Sequence, residues 1–264
     1  MVLDVTVSRD DRFIVTCDRD EKIRVSLSRS PYNIQSFCLG HQQFVSALLS
    51  PSGGPHTLLS GSGDGTVCVW DMETGRRLQT VDLREQCRPT EEERLTVSRL
   101  CSSPDGGHVA VLCERLKEIQ LLSLEQTEGG AVLSPHSHLP LSHCPLDLSF
   151  DPSGRLWVLL NCAESPLLVY GHAQGSWEQL DALSPDLSRV SPAFKTFWDA
   201  ADESQRSSSR LEHLYVETYD NVSEYMKKKQ QRLEQQSHKR SREHSREPKQ
   251  TNKPKKTKAE ANGS

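Results

Sequence analysis

Four polar side chains in the first third of the chain have the chemistry to transfer protons or to bond one another: an imidazole, a hydroxyl, a carboxylate and an indole, on His41, Ser60, Asp64 and Trp70. Asp64 lies between two glycines in a sequence typical of a hairpin turn, where its carboxylate can accept hydrogen bonds from an imidazole, a hydroxyl and backbone N–H groups. A buried polar network stabilises a fold only when every member finds a partner. We therefore interpret the four residues as a structural network between neighbouring strands, in preference to a catalytic site.

The segment that positions these side chains has the ends and the length of one WD-type propeller blade. It opens at Gly40-His41 and closes on Trp70-Asp71, a unit of 32 residues. Only this unit carries the full signature. The unit before it has no Gly-His pair, because Met1 falls inside its opening strand.

Turn-like tetrapeptides repeat this pattern more weakly along the chain. They begin 42, 53 and 48 residues apart, at Ser8, Ser50, Ser103 and Asp151, against roughly 40–45 residues for a WD repeat. Each turn lies between two strand-like segments, and a third strand-like segment follows. The pattern predicts an all-β array of about four antiparallel blades. Because an open sheet edge is a liability, we expect an incomplete propeller that lacks upstream blades; a complete four-bladed ring is the alternative.

The chain divides by composition into a propeller over residues 1–185, a linker over 186–207, an amphipathic helix over 208–236 and a disordered basic tail over 237–264. Ser209-Arg210-Leu211-Glu212 has the pattern of a helix capping box. The apolar residues that follow lie near one helical stripe; they are Leu211, Leu214, Tyr215, Tyr219, Val222, Tyr225, Met226 and Leu233.

Charge is distributed unevenly along the chain. Residues 227–258 contain 13 Lys or Arg and three Glu, whereas residues 1–226 contain 19 basic and 32 acidic side chains. The basic segment predicts binding of polyanions or transport receptors. Lys239-Arg240, followed after 12 residues by Lys253–Lys256, resembles a split nuclear import signal and predicts a nuclear protein; a solvated tail without a specific role is the alternative. The candidate RNA contacts are Lys227, Lys228, Lys229, Arg232, Lys239 and Arg240.

Other chemistry has little support in the sequence. No apolar run reaches about 18 residues, so no membrane span is expected, and the eight cysteines include no Cys-x-x-Cys pair. His136, His138, His143 and Cys144 lack the paired spacing of zinc ligands and are expected in a Pro-containing loop between blades. There is neither a Gly-rich phosphate loop nor a Gly-x-Ser-x-Gly nucleophile elbow. We predict no enzyme, no metal, no cofactor and no small-molecule substrate.

A charged strand in the first unit predicts a protein-docking patch. Residues 18–26 align with 62–70, which places Glu21 at a glycine position of the blade. On an alternating strand, Lys22 and Arg24 point to the face opposite Ile23 and Val25. A solvated strand face is the alternative. We favour docking, because rim charges set the orientation and rate of association.

These residues also carry a family resemblance. Residues 18–26, followed by Ser36–His41 and, further on, by Leu156–Leu159, Leu214-Tyr215 and Tyr225–Lys229, resemble the WD-repeat subunit of the tRNA guanine-N7 methyltransferase. The resemblance implies seven blades, with about three upstream of this chain. It also implies that Glu21, Lys22 and Arg24 contact the partner protein.

The resemblance further implies a non-catalytic scaffold in a heterodimer. Its partner is an S-adenosylmethionine-dependent methyltransferase, and the complex forms N7-methylguanine in the variable loop of tRNAs. The methyl donor is then expected on the partner. Two alternatives stay open: a general nuclear WD-repeat scaffold, such as a ubiquitin-ligase adaptor or chromatin reader, and an enzyme in its own right.

Overall fold

The structure is a computed structural model that describes residues 1–52, 54–87, 94–162, 164–180, 209–215, 226 and 228–232. It divides into two compact units, residues 1–216 and 217–264. The first unit contains four antiparallel sheets of four strands, each hydrogen-bonded in chain order. This finding confirms the predicted all-β blade architecture. The short helical segments of the described chain lack the length and apolarity of a membrane-spanning helix.

The four sheets are numbered here as blades 1 to 4. Blade 1 consists of β1 (Val2–Val7), β2 (Phe13–Asp18), β3 (Lys22–Leu27) and β4 (Ser30–Leu39). Blade 2 consists of β5 (Val45–Leu49), β6 (Thr57–Ser62), β7 (Thr66–Asp71) and β8 (Arg77–Asp82). Blade 3 consists of β9 (Val97–Ser102), β10 (His108–Cys113), β11 (Glu118–Thr127) and β12 (Gly130–Pro140). Blade 4 consists of β13 (Pro145–Phe150), β14 (Leu156–Leu160), β15 (Leu167–Ala173) and β16 (Ser176–Gln179).

Blade 2 shows how alternation along a strand builds two cores at once. On β6, Leu58 packs with apolar residues of blade 1, and its neighbour Leu59 packs with those of blade 3. On β7, Trp70 and Val69 divide in the same way. Because successive side chains of a strand point to opposite faces, a blade packed between two others is buried on both.

Successive blades adjoin through their first strands. β1 lies beside β5, β5 beside β9, and β9 beside β13. Three apolar clusters fill the spaces between blades 1 and 2, blades 2 and 3, and blades 3 and 4. The face of blade 1 that points away from blade 2 is open, and on it Val5 and Val7 are 58% and 46% exposed.

The predicted pattern contains three strands per blade, whereas the structure has four. One fourth strand corrects an expectation, because His136 and His138 lie on β12 instead of in a loop between blades. β12 pairs with β11 through a turn at Gly130, where φ is 120°. It is the outermost strand of blade 3, where a proline costs no ladder hydrogen bond. His143 and Cys144 do lie in the connection to blade 4.

His136 contacts two other histidine rings across the junction of blades 3 and 4. Its ring centroid lies 5.3 Å from that of His108 and 5.9 Å from that of His172, and the latter two are 4.7 Å apart. Burial, followed by the two neighbouring histidines, lowers the pKa of His108. Within the described ranges, no group of three His, Cys, Asp or Glu side chains has an arrangement that could hold a metal ion.

The segment after the propeller differs from the helix predicted over 208–236. The Ser209 hydroxyl accepts the N–H of Glu212 at 3.0 Å, but the residue at the N-cap of the turn is Leu211, which makes no side-chain cap hydrogen bond. Within the described residues 209–215, a 3-10 turn follows at Glu212–Leu214, and Tyr215 leaves it with φ −57° and ψ 132°. The physical reason is that Leu214 and Tyr215 pack into the first unit. Residues 226 and 228–232, in the second unit, are helical.

Several expectations fall partly or wholly on residues outside the described ranges. They are the linker over 186–207, the tail over 237–264 and the remainder of the predicted helix. The connection between β8 and β9 spans residues 83–96. Its first residues form one helical turn, α1 (Arg84–Cys87), and 88–93 are not described.

Gly61 provides a test of the packing between blades 2 and 3. A Cβ at Gly61 would lie 2.3 Å from Cγ1 of Val97 on β9. We expect Gly61→Ala to lower the free energy of unfolding by about 1–3 kcal/mol through overpacking. In the double variant with Val97→Ala, the loss should be smaller than the sum of the two single losses, because the clash is relieved. Denaturant unfolding measures all three values.

Gly107 supplies the control for this cycle. A Cβ there would approach other atoms no closer than 3.7 Å, so Gly107→Ala should leave stability nearly unchanged. Strictly additive losses for the Gly61 and Val97 substitutions would contradict the proposed contact.

Candidate protein-docking face and the buried blade network

The four polar side chains of blade 2 form one hydrogen-bonded series. Asp64 Oδ2 lies 3.0 Å from His41 Nδ1, and His41 Nε2 lies 2.7 Å from Ser60 Oγ. The indole N–H of Trp70 donates to the same Ser60 oxygen over 2.7 Å. The series therefore links the loop before β5 to the turn between β6 and β7 and to both of these central strands.

Asp64 is the main acceptor of this network. Besides His41, it accepts the backbone N–H of Gln42 at 2.9 Å and both the N–H and the hydroxyl of Thr66, at 3.0 and 2.7 Å. Burial alone would raise the pKa of Asp64, but the hydrogen bond and charge of His41, with these other donors, lower it. Burial works to lower the pKa of His41, yet Asp64 and Cys68 raise it to about 9.

Ser60, His41 and Asp64 have the same connectivity as the side chains of a Ser-His-Asp hydrolase triad. Ser60 and Trp70 have no exposed surface, however, and His41 is 5% exposed. A substrate carbonyl has no path to the Ser60 oxygen, which already accepts the Trp70 N–H. The arrangement serves to hold strands together, which is the role that the turn sequence predicts for it.

The candidate docking strand, β3, alternates as predicted. Ile23 and Val25 are fully buried against blade 2, whereas Lys22 and Arg24 are exposed on the opposite face. Lys22 and Arg24 are exposed to water, so ion pairs that they form with a bound protein are weakened by the high dielectric constant of the solvent. Such pairs set the orientation of the partner more than they add to its affinity. The structure brings the two cations together on one open sheet face.

Sequence reasoning missed two apolar side chains on the same face. Phe37 and Leu39 of β4 stand directly opposite Arg24 and Lys22 in the β3–β4 register, and they are 41% and 59% exposed. The Arg24 guanidinium lies 5.7 Å from the centre of the Phe37 ring. Aromatic and Arg side chains are the residue types that most often dominate binding energy at interfaces. We call Lys22, Arg24, Phe37 and Leu39 the docking face.

The orientation of β4 explains why these apolar side chains point outward. The alternate residues face the protein instead, with Ser36 8% exposed and Cys38 1% exposed. Ser36 Oγ donates to the carbonyl of Met72 over 2.6 Å, which ties the buried side of β4 to blade 2. The signal available in the sequence was this alternation of small and large residues over 36–39.

Glu21 lies in the tight turn between β2 and β3. Its φ is 65°, close to the 79° of Gly65 at the aligned position of blade 2. Asp18 Oδ1 holds the turn by accepting the N–H groups of Asp20 at 2.9 Å and Lys22 at 3.1 Å. A left-handed conformation is unfavourable for a residue with a side chain, and such strain concentrates at functional sites. Glu21 is partly buried and adjoins the docking face.

Of the six candidate RNA contacts, the structure describes three. Lys228, Lys229 and Arg232 are exposed on helical residues 228–232. Residues three and four apart are neighbours on a helix, so these cations share one side. Lys227, Lys239 and Arg240 lie outside the described residues.

Comparison with known proteins gives a family. The protein-family model described as "tRNA methyltransferase TRM82 WD40 domain" matches residues 1–169. A Danio rerio protein named tRNA (guanine-N(7)-)-methyltransferase non-catalytic subunit wdr4 is 50% identical over 243 residues, 91% of this chain and 58% of its own length. The Homo sapiens subunit WDR4 is 37% identical over 231 residues, 86% of this chain and 55% of its own.

More distant matches follow. The subunit named wuho from Culex quinquefasciatus is 31% identical over 237 residues, 89% of this chain and 54% of its own. The chain thus spans a little over half the length of these curated relatives. A chain of the crystal structure of the mitotic checkpoint complex aligns with a TM-score of 0.48 and 18% identity, over 60% of this chain and 46% of that one. The family match confirms the resemblance seen in the sequence.

The blade network predicts a pH dependence of stability. The folded His41 holds its proton up to about pH 9, whereas an unfolded histidine loses it near about 6.5. The stabilisation is therefore complete below about pH 6.5 and is lost as the pH rises through about 9. In Asp64→Asn the decrease over this range should be much smaller. Free energies of unfolding from denaturant titrations at several pH values measure it.

Asp105→Asn is the matched control, because Asp105 lies in an exposed turn outside the network. It should keep the decrease seen in the parent chain. The thiols of Cys17 and Cys38, whose pKa burial raises to about 12, lie outside the network and titrate equally in all three proteins. The Cys68 thiol belongs to the network, because burial would raise its pKa but His41 and neighbouring hydroxyls lower it. Identical pH profiles for the parent and Asp64→Asn would contradict the coupling.

Proposed function

The chain belongs to the family of the tRNA methyltransferase TRM82 WD40 domain, and on this premise we propose that it is a non-catalytic scaffold in a tRNA (guanine-N7-)-methyltransferase complex. Its partner is the catalytic subunit, with which it forms a heterodimer. The partner binds S-adenosylmethionine and transfers the methyl group to guanine N7 in the variable loop of tRNAs. This chain contributes no cofactor and binds tRNA through the complex.

The observation that carries this proposal is the match over residues 1–169, together with relatives that bear the name of the non-catalytic subunit. The site geometry supports it from a second direction. The hydrolase-like constellation of blade 2 is buried, while Lys22 and Arg24 of the docking face are exposed and the partly buried Glu21 lies in the turn beside them. The exposed side chains are of types that bind other proteins, and the side chains that could do chemistry are used in packing. This distribution is the one expected of a scaffold.

The docking face combines the two components that a specific interface needs. Phe37 and Leu39 supply apolar area on the edge strand β4, and Lys22 and Arg24 supply charge beside it on β3. Burial of the apolar pair provides affinity, while complementary charge on the partner sets its orientation. A scaffold of this kind raises activity by holding the partner's RNA-binding elements in their productive arrangement, which lowers the ordering cost of tRNA binding.

The basic C-terminal segment has a separate role in the proposal. Lys228, Lys229 and Arg232, with the cations at 227, 239 and 240, contact the phosphate backbone of bound tRNA. Lys239-Arg240 and Lys253–Lys256 direct the protein to the nucleus. Support comes from the 13 basic residues between 227 and 258 and from the exposed helical cations at 228–232.

Charge reversal on β3 tests the docking face. Arg24→Glu should weaken binding of the methyltransferase roughly tenfold or more, because it places like charges across the interface and removes the cation from the Phe37 ring. Lys22→Glu should act in the same direction. Co-expression with the methyltransferase, followed by quantitative co-purification and tRNA methylation assays, measures both effects.

Arg29→Glu is the matched control, because Arg29 is an exposed arginine of blade 1 in the turn at the other end of β3. It should leave co-purification unchanged. Full recovery of the methyltransferase with Arg24→Glu at moderate salt would remove the docking face from the proposal. Capture of other nuclear proteins without any methyltransferase would favour a general WD-repeat scaffold.

Deletion of residues 227–264 tests the tail. The affinity of the complex for tRNA should depend less steeply on salt, because each phosphate that the tail no longer neutralises reduces the slope by somewhat under one. Replacing only Lys228, Lys229 and Arg232 by Gln should give an intermediate slope. The deletion should also abolish nuclear accumulation of a fluorescent fusion. A slope equal to that of the parent complex would count against RNA contact by this segment.

A further inference from the structure

Residues 209–215 lie across one end of the propeller and contact three of its blades. We call this segment the strap. Ser209 Oγ donates to a carboxylate oxygen of Glu114, and the N–H of Arg210 donates to the other oxygen over 3.1 Å. Glu212 forms an ion pair of 2.7 Å with Arg115. These contacts hold the first half of the strap to the turn between β10 and β11 of blade 3.

Tyr215 holds the other end of the strap to blades 2 and 3. Its hydroxyl donates to the carbonyl of Gly63 over 2.8 Å and accepts from the Thr96 hydroxyl over 2.5 Å. Its ring meets Phe44 edge-on with 5.1 Å between centroids, and the Arg94 guanidinium lies 4.5 Å from the ring centre. Because the Tyr215 hydroxyl makes two hydrogen bonds and its ring makes two contacts, the side chain can fix the end of the strap in one position.

Leu214 connects the strap to blade 1. Its side chain is 2% exposed, and its carbonyl accepts the Nε–H of Arg19 over 3.1 Å. Arg19 belongs to the β2–β3 turn, and the next residues along the chain are Asp20, Glu21 and Lys22. The turn also holds the strained conformation of Glu21. An outside contact that fixes such a turn reduces the number of conformations it samples.

We propose that the strap is a positioning element for protein docking: through Arg19 it holds the β2–β3 turn in the conformation that presents Glu21 and Lys22 to the partner. The docking consequence rests on the function proposed above. The effect on the turn does not, because it concerns contacts within this chain alone. Loss of the strap would leave the cations in place but would increase the ordering cost of binding.

Two truncations separate the strap from the rest of the C-terminal segment. A chain ending at residue 216 keeps the strap, and a chain ending at residue 208 lacks it. Hydrogen exchange at the amides of Asp20 and Lys22 reports on the turn, because both donate to Asp18 Oδ1. For the chain ending at residue 208 we expect faster exchange at these amides and binding of the methyltransferase weakened about fivefold or more. For the chain ending at residue 216 we expect the exchange rates and the affinity of the parent chain.

Point variants locate the effect within the strap. Tyr215→Ala should behave as the shorter truncation does, and Tyr215→Phe, which keeps the ring contacts, should recover most of the binding. Arg19→Leu should change the turn amides and the affinity while the strap stays docked, and Arg19→Lys should restore part of both. Tyr32→Ala is the matched control, because Tyr32 is 84% exposed on β4 and does not contact the strap; exchange at the turn should not change.

The outcomes distinguish the two proposals. Equal exchange and equal affinity for chains ending at 208 and 216 would overturn the strap as a positioning element. Faster exchange with unchanged affinity would show that the strap fixes the turn without affecting docking, and would also overturn its role as a positioning element. Complete lack of methyltransferase binding by the parent chain would refute the proposed function, and exchange at Asp20 and Lys22 would still decide whether the strap fixes the turn.

Discussion

A four-stranded sheet has two faces and can bury neither by itself, and this constraint determines most of the molecule. In blade 2, Leu58 needs blade 1 and Leu59 needs blade 3, although the two are neighbours in sequence. Both central strands of the blade are therefore almost continuously apolar or small. The polar network of Asp64, His41 and Ser60 is tolerated within this packing because each described member has a partner.

The fold was predictable where the sequence carries local signals. Turn residues at regular spacing and alternating apolar residues identified the first three strands of every blade. The fourth strands were missed because they lie at the outer edge, where most residues are exposed, so few buried positions mark the strand and prolines such as Pro135 are tolerated. The start of the helix predicted over 208–236 differs from the structure at residues 209–215 for another reason. Leu214 and Tyr215 fit a helical stripe, but their burial comes from contacts with residues more than a hundred positions away.

The candidate site divides in the same way. The exposed pair Lys22 and Arg24 follows from alternation within β3 alone, and so could be assigned from sequence. Phe37 and Leu39 were missed, because within β4 the small residues face blade 2 and the large apolar residues lie on the face of blade 1 that points away from blade 2. Only the β3–β4 register shows that they stand opposite the two cations. Glu21 combines both cases. Alignment of the blades showed in the sequence that Glu21 occupies a glycine position, but its strained backbone conformation could be recognised only from the φ angle in the structure.

The strap is synthesised after the blades that it joins, and this order has a consequence for folding during translation. Its contacts join residues separated by up to 195 positions, and it leaves the ribosome after all sixteen strands of the described chain. The strands of blades 1 to 3 are synthesised before the strap, so until then strand pairing and the apolar clusters between the blades are the contacts that can hold them together. A nascent chain released before residue 209 would contain the four described blades without the strap, and would therefore differ physically from the finished molecule.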